Sequence, residues 1–253
     1  MLRSIWVTIL ALSILIPLGS VAVVGAHFGL PRGYYLWAGR LFSRALLWAG
    51  GTPVRVIGRE HIDRERPQVI ASSHKSMYDV WALAAHMPPR YHFVAKQEIR
   101  GIPIFGRASE AAGHVFIDRD NRMAAVESLK LAGRRISEEG STAVTFPEGT
   151  RSLTGDLQRF KKGPFIMAIK AGVPIVPTVV DGTFHILPKR GFRLRPQPIT
   201  VWFGEPVDSR LYGDEDRDAL ITRVHAQMAQ MIAELRAPEG YSGPRRLAVK
   251  PTA

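Results

Sequence analysis

Hydrophobic positions change their spacing twice along this chain, and the changes divide it. Residues 5–26 carry no charge and are mostly Ile, Val, Leu and Ala. That is about the twenty residues a helix needs to cross a bilayer. From Tyr34 the period becomes helical with a single stripe: Tyr34, Trp37, Leu41, Ala45 and Trp48 recur at three- and four-residue intervals, with Arg40 and Arg44 off or beside it. From Pro53 onward, short apolar runs alternate with helical periods. The runs predict strands over 54–57, 69–72, 91–95, 115–117, 142–146, 175–180 and 199–203. The periods predict helices over 77–86, 122–138, 164–171 and 217–236. Such alternation is the pattern of an α/β domain, a largely parallel sheet flanked by helices. The expected organisation is two N-terminal membrane-anchoring helices over 1–50, an α/β domain over 51–237, and a basic arm rich in Pro, Gly and Arg over 238–253. Strand order is not readable from the pattern.

Three readings fit the apolar start. It is a membrane helix, spanning or partly inserted; a cleaved signal peptide with Arg3 as its basic start and Val24-Gly25-Ala26 as its cleavage site; or a buried core helix. The unbroken apolar face makes the core helix the weakest of the three, and retention is preferred over cleavage. Pro17, Gly19 and Gly25 weaken a helix in water but are tolerated in lipid. The stripe that follows reads as an interfacial amphipathic helix with snorkelling arginines, or as an ordinary surface helix packed on a core. Arg32, Arg40 and Arg44 after the apolar segment favour a cytoplasmic main domain.

Composition sharpens this in two places. The formal charge of the 253-residue chain is +12, which calls for an anionic partner: nucleic acid, an anionic membrane surface or a phosphorylated small molecule. There is no cysteine, so disulfides, cysteine nucleophiles and thiolate metal sites are excluded together.

Candidate chemistry lies at the ends of predicted strands. In His74-Lys75-Ser76-Met77-Tyr78-Asp79, a histidine on the turn entering a helix meets an aspartate in the first helical turn. A neutral imidazole there can take a proton from a hydroxyl, and the carboxylate fixes its tautomer. The competing reading is a capping box, Ser76-x-x-Asp79, that serves only the helix start. In Phe146-Pro147-Glu148-Gly149-Thr150-Arg151-Ser152, Pro and Gly shape a tight turn at a strand end, where α/β ligands commonly bind. Arg151 offers a planar fork of donors suited to phosphate, Thr150 adds another donor, and Glu148 either orients Arg151 or bonds a substrate hydroxyl. Alone, this segment reads equally as a polar turn with one ion pair. Arg119, in Phe116-Ile117-Asp118-Arg119, is either a second anion contact or the partner of Asp118 or Asp120. Val173-Pro174-Ile175-Val176-Pro177-Thr178 carries no titrating group and reads as structural, or as an apolar wall beside the site. Lys96 follows a strand and Lys161-Lys162-Gly163 precedes a helix; for each lysine a solvated face is the default.

Other classes lack their signatures. There is no Gly-x-Ser-x-Gly elbow, no His-Glu-x-x-His, no Gly-x4-Gly-Lys loop and no nucleic-acid-binding motif; the 8 histidines are scattered.

In their order along the chain, these four blocks resemble the glycerolipid acyltransferases, the 1-acylglycerol-3-phosphate acyltransferases and their relatives, over roughly residues 54–203. None of the matching chemical positions departs from that pattern. The resemblance implies that His74 is the general base on an acceptor hydroxyl, supported by Asp79, and that the hydroxyl attacks the thioester of acyl-CoA or acyl-carrier protein without a covalent acyl-enzyme. It implies that Glu148, Gly149, Thr150 and Arg151 hold the acceptor, with Arg151, Arg119 and Lys96 on its phosphate. It implies no metal and no cofactor beyond the acyl donor as co-substrate. The implied partners are lysophosphatidic acid and a membrane phospholipid surface, and no nucleic acid is expected. The alternatives are another acceptor (glycerol-3-phosphate, another lysophospholipid or a lyso-aminolipid) and a non-catalytic basic membrane-binding protein.

Overall fold

The computed structural model describes residues 2–118, 121–213 and 215–237, so the expected basic arm over 238–253 lies outside the described residues. Its elements, in order, are α1 (Leu2–His27), α2 (Arg32–Gly50), β1 (Val54–Ile57), β2 (Val69–Ser72), α3 (Met77–Ala84), β3 (Tyr91–Lys96), α4 (Phe105–Ala111), β4 (Val115–Ile117), α5 (Arg122–Ser137), β5 (Thr142–Thr145), α6 (Gly163–Ala171), β6 (Ile175–Asp181), α7 (Thr183–Ile186), β7 (Ile199–Phe203) and α8 (Arg217–Arg236). The strands form one seven-stranded sheet in the order β1-β7-β6-β2-β5-β3-β4.

Five neighbouring strands, β6, β2, β5, β3 and β4, run parallel. Their C-terminal ends therefore share one edge. The central strands β2 and β5 are buried at every position, which is why they read as unbroken apolar runs rather than alternating ones. Ile70, Val144 and Val176 face Leu46, Tyr78 and Leu83 on one side of the sheet. Val69, Ala71, Ala143 and Ile175 face Phe165, Leu220, Val224 and Met228 on the other. At about 25 cal/mol per Å² of apolar surface removed from water, these two layers are the main stabilising contribution.

β7 runs antiparallel to β6, and β1 pairs parallel with β7, so both run against the central five. A parallel return needs a crossover, normally with a full helix. The segment between β6 and β7 contains only the four-residue α7, so the chain returns at the same edge and the strand must reverse.

The two N-terminal helices pack on one another, α1 also on α4, and α2 on α3. α1 has 26 residues, about 39 Å of helix. Only 17% of its most apolar window is buried, which argues against the core-helix reading. Ile5, Trp6, Ile9, Leu12 and Ile16 stand exposed along it. In α2 the core-facing side is Tyr35, Leu36, Leu46 and Leu47, whereas Trp37, Leu41 and Trp48 of the sequence stripe are exposed. The stripe is thus not the face that packs on the core. Together the exposed side chains of α1 and α2 make an extended apolar surface of the kind that marks a membrane or protein contact.

Candidate active site

The site is built where β2 and β5 end. β2 leaves the sheet through Ser73, whose amide donates to the Thr178 carbonyl at 3.0 Å. His74 follows on the turn. Ser76 then caps α3: its hydroxyl accepts from the Tyr78 amide at 3.3 Å, and Asp79 accepts from the Ser76 amide at 2.7 Å. The same Asp79 oxygen, Oδ2, lies 3.0 Å from His74 Nδ1. The His74–Asp79 contact and the capping box are therefore both present. One carboxylate closes the capping box and holds the imidazole, because the helix start and the turn present their donors to the same oxygen.

Asp79 Oδ2 also accepts from the Lys75 amide at 2.6 Å, and Oδ1 accepts from the Thr183 hydroxyl at 2.5 Å. Asp79 is fully buried, while the His74 side chain is 14% exposed, so the ring is reachable from outside and the carboxylate is not. An ionised carboxylate only accepts hydrogen bonds. Nδ1 of a neutral His74 is therefore the protonated nitrogen, and Nε2 carries the free lone pair. The ring lies flat on Phe146, with centroids 3.9 Å apart and planes at 20°.

The turn after β5 clamps His74 by its main chain. The His74 amide donates to Glu148 Oε1 at 2.7 Å, and the His74 carbonyl accepts from the Ser152 amide at 2.8 Å. Glu148 Oε2 accepts from both the amide and the side chain of Gln158. Its bonds thus go to the His74 turn and to Gln158, not to Arg151. Gly149 has a φ of +76°, a conformation that a side chain would strain, and lets the turn close. Thr150 is exposed, and its hydroxyl accepts from Lys189 Nζ at 2.7 Å. Arg151 is half-buried, and its guanidinium has no ion-pair partner among the described residues. Lys161 packs beside Gly149. Lys162 instead pairs with Asp218 on α8.

Burial raises the Glu148 carboxyl from 4.5 to about 7, aided by the charge of Asp79 and opposed by the hydrogen bonds from His74 and Gln158. Between those two values the folded state holds a proton that the unfolded state has lost. The stability this contributes is complete below pH 4.5 and lost as pH rises through about 7. The melting temperature of wild type relative to Glu148→Gln is therefore expected to fall across that window, by the equivalent of at most about 3.5 kcal/mol, and to level off above it. A difference that stays constant from pH 4.5 to 7.5 would show that Glu148 does not titrate there.

The other predicted residues are placed differently. Lys96, at the end of β3, lies on the same edge, two strands from β2 across β5, or roughly 10 Å of sheet. It is half-exposed and paired with Glu98. Arg119 lies outside the described residues. Three residues in the site were not picked out from the sequence. Lys75 is almost fully buried, and its Nζ lies 3.2 Å from Asp181 Oδ1. Thr183 bonds Asp79, and Lys189 reaches Thr150. Their partners are 106, 104 and 39 residues away in the chain, and no local pattern signals pairings at those separations.

A histidine with a fixed tautomer, a buried carboxylate holding it and an arginine with no ion-pair partner among the described residues meet at one sheet edge, an arrangement able to deprotonate a hydroxyl beside a cationic loop. Residues 53–181 match the acyltransferase family model, and the chain belongs to that family. The 1-acyl-sn-glycerol-3-phosphate acyltransferase of Cocos nucifera is 34% identical over 79% of this chain, which spans 64% of that relative's length. The enzyme of the same name from Haemophilus influenzae is 31% identical over 79% of this chain and 80% of its own. The crystal structure of the 1-acyl-sn-glycerophosphate (LPA) acyltransferase PlsC from Thermotoga maritima superposes with a TM-score of 0.81 at 27% identity, covering 93% of this chain and 95% of that one. The α/β architecture with its N-terminal helices is shared across nearly the whole length.

Proposed function

We propose that this enzyme transfers a fatty acyl group from acyl-CoA or acyl-carrier protein to the sn-2 hydroxyl of 1-acylglycerol-3-phosphate, giving phosphatidic acid. The observation that carries this reading is His74, held through Nδ1 by a buried, four-fold bonded Asp79 with no partner on Nε2 among the described residues, in a chain whose relatives bear that name.

The geometry supports the following chemistry. His74 Nε2 takes the proton of the acceptor hydroxyl as its oxygen attacks the thioester carbonyl. The imidazolium that forms is stabilised by Asp79 through Nδ1–H. The tetrahedral intermediate collapses with cleavage of the C–S bond, and the thiolate leaves with the proton from Nε2. An ester replaces a thioester, and no protein nucleophile is used. Arg151 binds the acceptor phosphate, with Thr150 and Gly149 beside it; Glu148 holds the loop that presents them, Lys96 lies further along the edge, and Arg119 is a further phosphate contact. The exposed faces of α1 and α2 rest in the membrane surface, where the acceptor resides. The catalytic domain lies on the cytoplasmic side, as Arg32, Arg40 and Arg44 favour.

Purified protein would be given labelled oleoyl-CoA with lysophosphatidic acid, glycerol-3-phosphate or lysophosphatidylcholine in turn. Phosphatidic acid from the first acceptor alone is the expected product, and product only from another acceptor would overturn the acceptor assignment. In the same assay Arg151→Ala is expected to raise the acceptor KM roughly 10- to 100-fold, the loss of a charge-assisted contact, with kcat much less affected. An unchanged KM removes Arg151 from the phosphate.

A further inference from the structure

We infer that Thr183, at the corner where β6 enters α7, is a positioning residue for His74 and Asp79, acting through the carboxylate oxygen that His74 does not use. The inference deepens the acyl-transfer reading and rests on it.

The two Asp79 oxygens are unequally served. Oδ2 takes the His74 ring and the Lys75 and Ser76 amides, at 3.0, 2.6 and 2.7 Å. Oδ1 takes the Thr183 hydroxyl at 2.5 Å. Asp79 and Thr183 are both fully buried, so water does not reach Oδ1 to replace that hydroxyl. Because the carboxylate only accepts, the hydroxyl must donate. A buried oxygen left without it would lose a charge-assisted bond.

Two consequences follow for His74. The bond at Oδ1 fixes the rotation of the carboxylate, so Oδ2 points at Nδ1. It also draws charge away from the carboxylate, so the Nδ1 proton stays on the ring when the imidazolium forms. This is the role that outer hydrogen-bond partners play around other working histidines.

The fold places Thr183 there deliberately. Gly182 has a φ of +91°, and a Cβ on it would lie 2.4 Å from the Pro198 carbonyl oxygen, so only glycine makes this corner. The same corner grips the catalytic turn at neighbouring points. Ser73 Oγ accepts from the Val180 amide at 3.0 Å, Lys75 Nζ meets Asp181 at 3.2 Å, and Ser76 Oγ donates to the Leu187 carbonyl at 2.7 Å. Thr183 is the one contact of this set that lands on the catalytic carboxylate.

The test compares Thr183→Val, which keeps the shape and deletes the hydroxyl, with Thr183→Ser, which keeps the hydroxyl. Thr183→Val is expected to lower kcat roughly 10- to 100-fold and leave the acceptor KM within about two-fold. Thr183→Ser is expected to stay within about three-fold of wild type. Without any substrate, the downfield proton NMR resonance of His74 Nδ1–H, assigned by its absence in His74→Gln, is expected to persist in the Ser variant and to move or vanish in the Val variant. If Thr183→Val does not fold, Thr183→Ala makes the same comparison. A wild-type kcat with an unmoved resonance in Thr183→Val overturns the inference. An equal fall in the Val and Ser variants also overturns it, in favour of packing, and a change in KM alone overturns it in favour of a substrate contact. A wild-type protein that acylates none of the acceptors from either oleoyl-CoA or oleoyl-acyl-carrier protein sinks the acyl-transfer reading, and the substrate-free resonance still decides the role of Thr183.

Discussion

Replacing His74 with alanine is expected to abolish acyl transfer, a fall of about 10³-fold or more, with little loss of stability. The two parts of that expectation rest on different atoms. In the proposed reaction, catalysis uses the ring, through Nε2. Structure uses the main chain of the same residue: its amide is held by Glu148 and its carbonyl by Ser152, and alanine keeps both. The ring itself lies on Phe146 at a partly open edge, and Asp79 keeps three other donors when it is gone. Turnover and thermal melting measured on one preparation separate the two. Substantial residual turnover would remove His74 as the base, and a collapse of the melting temperature would mean that the ring is mainly structural.

Asp79→Asn is expected to lower kcat roughly 100-fold and also to destabilise the fold by about 1–3 kcal/mol. The amide must turn its oxygen toward the Lys75 and Ser76 amides, because its NH2 group would clash with those donors. In that pose the oxygen still accepts from His74 Nδ1, and the NH2 group faces Thr183. The tautomer survives, and what is lost is the negative charge that stabilises the imidazolium. The effect therefore falls on kcat at saturating acceptor rather than on KM. An Asn variant within ten-fold of wild-type kcat would mean that Asp79 serves mainly as the helix cap. The two variants together distinguish the residue that moves the proton from the one that makes the movement favourable.

Much of this site was legible in the sequence, for a definite reason. β2 and β5 are buried on both faces, so they appear as short apolar runs, and the chemistry follows each run within a few residues. Parallel strands put their C-terminal ends on one edge, so motifs read separately along the chain converge there. The helix over Met77–Ala84 was anchored by its capping box. What escaped was either weakly patterned or long-range. α4, with the sequence FGRASEA, has no apolar stripe. The reversal of β7 depends on the shortness of α7, which sequence periodicity does not resolve. Lys75 reads as a surface lysine until the fold sets Asp181 beside it. The Val173-to-Thr178 block was read as a structural or apolar wall. Its Thr178 carbonyl does hold Ser73, and the strand it begins carries the chain on to Thr183, which lies five residues past the block.

The amino-terminal helix has a consequence for how membrane attachment can be studied. Val7 and Ala22 of α1 belong to the core. Ser4 Oγ accepts from the Leu194 amide at 2.9 Å, on the same loop whose Leu187 carbonyl receives the Ser76 hydroxyl. Ile104, held at a φ of 63° that costs a β-branched residue of order 1–3 kcal/mol, rests its side chain against Gly19. Removing α1 would strip a lining from the sheet's helical layer, release a strained residue and free the loop that steadies the α3 cap. A truncated protein that is both soluble and inactive would thus confound detachment with damage. Polar substitutions confined to Ile5, Ile9, Leu12 and Ile16, which face outward, probe adhesion while leaving the scaffold whole.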